Sequence, residues 1–139
     1  MNNLIQKLVI TLLATNILYL ASATAQVSPS TPKAAHVVIT EGPEIESARP
    51  LLVIITWTTN NPGGSPEHYG VVHYGTSPKD LSQTAKNPIR LNPGHTYTVF
   101  RVRMDDLPPR TKFYYKVESM EANGTSDGVT SPTKDFTTP

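Results

Sequence analysis

The sequence predicts an all-β fold, a seven-stranded antiparallel β-sandwich. Three observations carry this. Beyond residue 35 no stretch sustains the apolar period of a helix, whereas short alternating or apolar runs recur. Those runs are rich in Val, Ile, Thr and aromatic residues, which suit a pleated, half-buried surface. They are punctuated by Gly, Asn, Asp and Pro, and the 139 residues include 13 prolines.

Residues 1–25 stand apart from that pattern. Lys7 is the one charge, followed by an apolar run from Leu8 to Leu20 and the small-x-small triplet Ala23-Thr24-Ala25. This reads as a secretory signal cleaved after Ala25, with Ala21-Ser22-Ala23 as a second cleavage pattern. A membrane anchor is the competing reading. The run is interrupted by Thr11, Thr15 and Asn16 and falls short of the ~20 residues a spanning helix needs. The processed chain is therefore expected to be secreted, or held in the periplasm or cell envelope, with no membrane span. Residues 26–35 (QVSPSTPKAA) have little to bury and read as a flexible leader. Residues 36–139 form the expected single domain.

The elements follow in order. His36–Thr40 is a short strand, ended by a loop holding Gly42, Pro43 and Pro50. Leu51–Thr58 is the strongest strand, with Trp57 near its end, and Asn60–Pro66 is a turn. Tyr69–Tyr74 is a strand that stops at Gly75-Thr76-Ser77-Pro78. Leu81–Ala85 is a weak edge strand, and His95–Met104 alternates cleanly before the turn Asp105–Pro109. Lys112–Ser119 is a strand, Asn123-Gly124 a turn, and Lys134–Thr137 a closing strand. Side chains alternate faces along a strand, and charges mark the outer one. The expected core is Val53, Ile55, Trp57, Val72, Tyr74, Phe100, Val102, Met104, Leu107, Phe113, Tyr115, Val117 and Phe136.

Three segments resemble the fibronectin type III (immunoglobulin-like) fold: the strand ending in Trp57, the ending Asp135-Phe136-Thr137-Thr138, and the corner Leu107-Pro108-Pro109-Arg110-Thr111-Lys112-Phe113. Two runs narrow the likeness. Val72-His73-Tyr74-Gly75-Thr76-Ser77-Pro78 and Thr111-Lys112-Phe113-Tyr114-Tyr115 resemble motifs of the N-terminal domain of purple acid phosphatases. The resemblance implies a non-catalytic sandwich. In that family the chemistry belongs to a following metallophosphoesterase domain, so no catalytic or metal-binding residue carries over. Phe113 stands where the family's corner has a tyrosine, and a lost hydroxyl bond costs on the order of 1 kcal/mol.

Composition narrows the function. Without cysteine there is no disulfide, thiolate metal site or cysteine nucleophile. Twelve Lys and Arg against eleven Asp and Glu give no electrostatic case for nucleic acid. His36, His68, His73 and His95 lack metal-site spacing, and His68 and His73 project to opposite faces of one strand. Asp105-Asp106 reads as a solvated turn rather than part of a calcium loop. No serine has a nucleophile-elbow context, and Gly63-Gly64 lacks the lysine and helix of a phosphate loop. No catalytic residue, metal or cofactor is expected.

What remains is surface. Tyr69, Val71 and His73 are expected on the outer face of one strand, with Lys112, Tyr114 and Lys116 on its neighbour. Together they read either as a docking face for a protein or polysaccharide or as ordinary cross-strand pairing. Arg101 and Arg103 form a solvated basic strip on the other sheet. Asn123-Gly124-Thr125 reads as an N-glycosylation acceptor or as a plain hairpin turn. The function expected is a binding or accessory module that presents the patch, or the loops Asn60–Glu67 and Glu121–Gly128. The alternatives are a detached or truncated phosphatase N-terminal domain and a structural spacer or adhesion piece.

Overall fold

A computed structural model describes residues 31–139. The signal-like segment 1–25 and leader residues 26–30 lie outside the described residues. The described residues form eight strands: β1 (Ile39–Arg49), β2 (Leu52–Asn60), β3 (Glu67–Gly75), β4 (Gln83–Arg90), β5 (Tyr97–Asp105), β6 (Lys112–Glu121), β7 (Ser126–Thr130) and β8 (Lys134–Thr137). One sheet has the order β1-β2-β5. The other runs β4-β3-β6-β7, and β8 also pairs with β6. All pairings are antiparallel. Among the described residues no helix is long and apolar enough to cross a membrane.

The core lies between the sheets and follows from alternation. In β2 the buried Val53, Ile55 and Trp57 oppose Met104, Val102 and Phe100 of β5. Val72, Phe113, Tyr115, Val117 and Phe136 fill the facing sheet, and Leu107 closes the corner. Trp57 stacks on Phe100 with centroids 5.3 Å apart. Burying each of these large side chains contributes about 1.5–3 kcal/mol. Tyr74, expected inside, is only half-buried. It sits at the end of β3 and meets the edge of Phe113 at 5.9 Å.

Four local features depart from the sequence reading. First, β1 does not end before Gly42-Pro43 but continues to Arg49 through three register shifts. At Gly42 (φ +75°) a Cβ would lie 2.9 Å from the Thr56 carbonyl oxygen, so the irregular strand presses its backbone onto β2 there. Second, β4 runs on to Arg90 through Pro88, which an edge strand tolerates because one of its rows of N–H groups has no partner strand. Third, β7 is an eighth strand within a stretch read partly as loop. Fourth, the leader is docked from Thr31. Ala34 N–H donates to Pro62 O and Gly64 N–H to Thr31 O, both at 2.8 Å. A Cβ on Gly63 would fall 1.9 Å from Pro32 O, so that close approach requires glycine.

The corner before β6 holds without the tyrosine hydroxyl. Thr138 Oγ1 accepts from Thr111 N–H at 2.9 Å and donates to Pro108 O at 2.6 Å. Thr138 thus bridges both sides of the turn where Phe113 has only a ring to offer.

Candidate binding face

The outer face of the five-stranded sheet carries all six residues expected to form a patch. Register places them. His73 lies opposite Lys116 of β6 and Thr84 of β4. Val71 lies between Glu118 and Lys86, and Tyr69 between Met120 and Pro88. Tyr114 lies between Gly75 and Asp135 of β8, and Lys112 opposite Thr137. His73 and Lys116 are therefore direct neighbours. Tyr69 and Tyr114 sit at opposite ends of the face, six strand positions or about 20 Å apart.

Val71 requires a correction. It is on the outer side, as alternation demands, but it is only 1% exposed. Long side chains flank it in register, Lys86 on one strand and Glu118 on the other, and their aliphatic stems suit an apolar surface. Val71 supports the face without offering itself to a partner.

The remaining side chains brace one another. Lys86 Nζ lies 5.2 Å from the Tyr69 ring centroid, and Lys112 Nζ 5.3 Å from that of Tyr114. Lys112 also reaches Asp135 at 3.3 Å. Its hydrogen bond to that carboxylate, then the carboxylate's charge, raise the Lys112 pKa above its ordinary value. His73 Nε2 meets Glu118 Oε1 at 2.8 Å, and Nδ1 meets Thr84 Oγ1 at 3.4 Å. A carboxylate accepts only, so Nε2 is assigned a proton, donated to Glu118. Beside this pair a depression of about 320 Å³ is lined by His73, Pro78, Lys79, Leu81, Lys116 and Thr133. Neither Lys79 nor Lys116 has a carboxylate within 4.0 Å among the described residues.

Three members of this face escaped the sequence reading. Glu118 shares the parity of Lys116, so alternation alone was enough to find it. Lys86 and Asp135 needed the registers of β4 and β8, which composition does not reveal.

The loops named with the patch are tied together at one end of the sandwich. Ala122 N–H donates to Glu67 O at 3.0 Å, and Lys33 bridges to Glu121 at 3.1 Å. Asn61 Nδ2 donates to Asn92 O and His95 O at 3.0 and 2.8 Å. These loops are held as one stitched surface.

The fold also assembles a buried polar cluster. His68 Nε2 is 3.2 Å from Asp127 Oδ1, and Ser119 Oγ donates to Asp127 Oδ2 at 2.6 Å. The His68 and Asp127 side chains are 0% and 1% exposed. The residue types are those of a hydrolytic triad, but the order is wrong. Serine bonds to the carboxylate rather than to the imidazole, so no base takes its proton, and no substrate reaches it. The cluster joins β3, β6 and β7.

Elsewhere the charged residues pair locally. Arg101 makes a bidentate contact to Glu46, and that hydrogen bond holds the carboxyl below its ordinary range. Arg103 meets Asp105 at 2.7 Å. Asn123 is exposed, and its Oδ1 accepts from Thr125 N–H at 2.8 Å, shaping the β6–β7 turn. Among the described residues no group of three or more His, Asp or Glu is placed to hold a metal ion.

No curated protein sequence matches the chain. One solved structure, wild-type OgpA from Akkermansia muciniphila, is similar at 17% identity with a TM-score of 0.39. The match covers 79% of this chain, which spans only 31% of that one. The model of the purple acid phosphatase N-terminal domain matches residues 32–138, from the first docked leader residues to the threonine that closes the corner. By that match and its two-sheet fold, the chain belongs to the purple acid phosphatase N-terminal domain family.

Proposed function

We propose that this domain is a non-catalytic binding or accessory module, exported from the cytoplasm, that presents the outer face of its five-stranded sheet to a protein or glycan. The observation behind this reading is the face itself. Two lysine-braced tyrosines flank a depression where Lys116 of β6 and Lys79 of the β3–β4 loop have no carboxylate partner among the described residues. The histidine–aspartate–serine cluster described above is sealed and misordered for hydrolysis, which favours binding over chemistry.

Immobilised protein would be exposed to the native secreted fraction, and retained material identified by mass spectrometry. The expected result is a partner lost when Tyr69→Ser and Tyr114→Ser are combined, with the melting temperature lowered only slightly. Each exposed cation–π pair contributes about 0.5–1 kcal/mol. Equal retention by the double variant would overturn the face as the site. Family membership favours a second reading, in which the retained partner is a separately encoded metallophosphoesterase. Export is tested by sequencing the N-terminus of the secreted protein, expected at Gln26. Incubation with p-nitrophenyl phosphate and divalent metals should give no turnover above buffer, and turnover that co-purifies with the chain would refute the non-catalytic reading.

A further inference from the structure

A different surface, the free edge of β5, carries an inference about self-association. In an antiparallel ladder alternate residues direct both N–H and C=O toward the partner strand, and the residues between direct both away. Arg103 N–H donates to Asn87 Oδ1 on β4 at 3.1 Å, so it points away from β2. By alternation Tyr97, Val99 and Arg101 also turn their backbone groups outward. Their outward groups have no partner among the described residues. Asn87 caps the row at Arg103, and β5 begins at Tyr97. The open stretch is thus five residues long and centred on Val99.

Side chains along this stretch are unusually bare for a sheet edge. Tyr97 and Val99 are 51% and 41% exposed. Edges of this kind are ordinarily blunted by charge, proline or a cover. Here β4 leans over only the Arg103 end. Toward Tyr97 the two strands part, leaving a gap of about 320 Å³ lined by Ile89 and Arg90 on one side and His95, Tyr97 and Val99 on the other.

We propose that a second copy of this chain pairs with β5 edge to edge about a two-fold axis at Val99. The stretch is self-complementary. The axis sets Val99 against Val99 of the second copy, and Tyr97 against the aliphatic stem of Arg101, whose guanidinium stays with Glu46. All three pairs are of the hydrogen-bonded kind, because the outward groups fall on the same parity. A two-fold axis at Arg101 would instead oppose two arginines, and at Tyr97 it would run past the start of the strand. The pairing joins two three-stranded sheets into one of six and covers the exposed apolar pair.

Sedimentation velocity of the full chain from micromolar to submillimolar concentration tests this. A monomer–dimer equilibrium is expected. Val99→Lys places like charges across the axis at an exposed position and should weaken it about tenfold or more, with an unchanged melting temperature. Val99→Pro removes one outward N–H, spares every bond to β2, and should act likewise. The chain has no cysteine, so Val99→Cys gives a unique thiol. Its Cα would lie about 5.5 Å from its mate, within disulfide reach. Mild oxidation should cross-link it far faster than Val38→Cys, whose parent residue is 51% exposed. Three outcomes would each overturn the proposal: a monomer throughout, a dimer unaffected by Val99→Lys, or equal cross-linking of the two thiols. A dimer that persists in the variants would place its interface elsewhere.

Discussion

Asp127 shows how one buried charge organises its surroundings. Its two oxygens are used by His68 and Ser119, and neither donor has water as an alternative. Alanine there strands both donors in the interior and should cost about 3–5 kcal/mol, read as a lowered urea midpoint. Asparagine keeps one accepting oxygen and should cost less. Tyr115 poses the opposite problem, a group kept neutral. Burial pushes its hydroxyl up to about 12, aided by the negative charges of Asp135 and Glu44. In the unfolded chain a tyrosine ionises near 10. The unfolded state therefore loses its proton first as pH rises. Stability present below pH ~10 should fall progressively to pH ~12, by on the order of 2 kcal/mol. Phenylalanine at 115 cannot ionise, so the variant should show a flatter stability profile across that window in urea titrations.

At the scale of elements, legibility tracked how strongly burial dictates alternation. β2, β5 and β6 have one face fully in the core, and their apolar parity was readable from residue type alone. β7 was not, because one of its two inward residues is Asp127, a polar group tolerated only through partners on other strands, and Gly128 beside it has φ +84°. β1 and β4 were misjudged at their ends because Gly42-Pro43 and Pro88 signal a break in a central strand but not at an edge. The binding face was half legible. Parity put Tyr69, His73, Tyr114 and Lys116 on one surface, but it could not show that Val71 would be covered or that Lys86 would brace Tyr69. The docked leader was invisible for another reason. Two of its contacts are backbone hydrogen bonds to the Pro62–Gly64 loop, and backbone carries no sequence signal. Its glycine does. Gly63→Ala puts a carbon into Pro32 and should release the strap, lowering stability by about 1–3 kcal/mol and exposing the Ala34 and Gly64 amides to fast hydrogen exchange.

The whole molecule is two sheets packed face to face, and at Gly70 side chains of one sheet close on the backbone of the other. A Cβ at this position would meet Trp57 at 3.0 Å, Val102 at 3.1 Å and Phe100 at 3.2 Å, all side chains of the opposite sheet. None of these can yield without moving another buried residue, since Trp57 is stacked on Phe100 and Val102 is fully enclosed. Gly70→Ala should therefore act on both sheets at once, as an overpacked core does, and cost about 1–3 kcal/mol. Trp57 is the sole tryptophan, so its emission reports the sheet contact itself, while far-UV circular dichroism reports the strands. If the two sheets form one cooperative unit, both signals lose structure at the same urea concentration, and Gly70→Ala moves the two midpoints down together. A variant in which tryptophan emission shifts before the strands melt would mean that the sheets can separate while each keeps its own hydrogen-bonded ladder. The core, rather than strand pairing, would then be the weaker of the two bonds that define the domain.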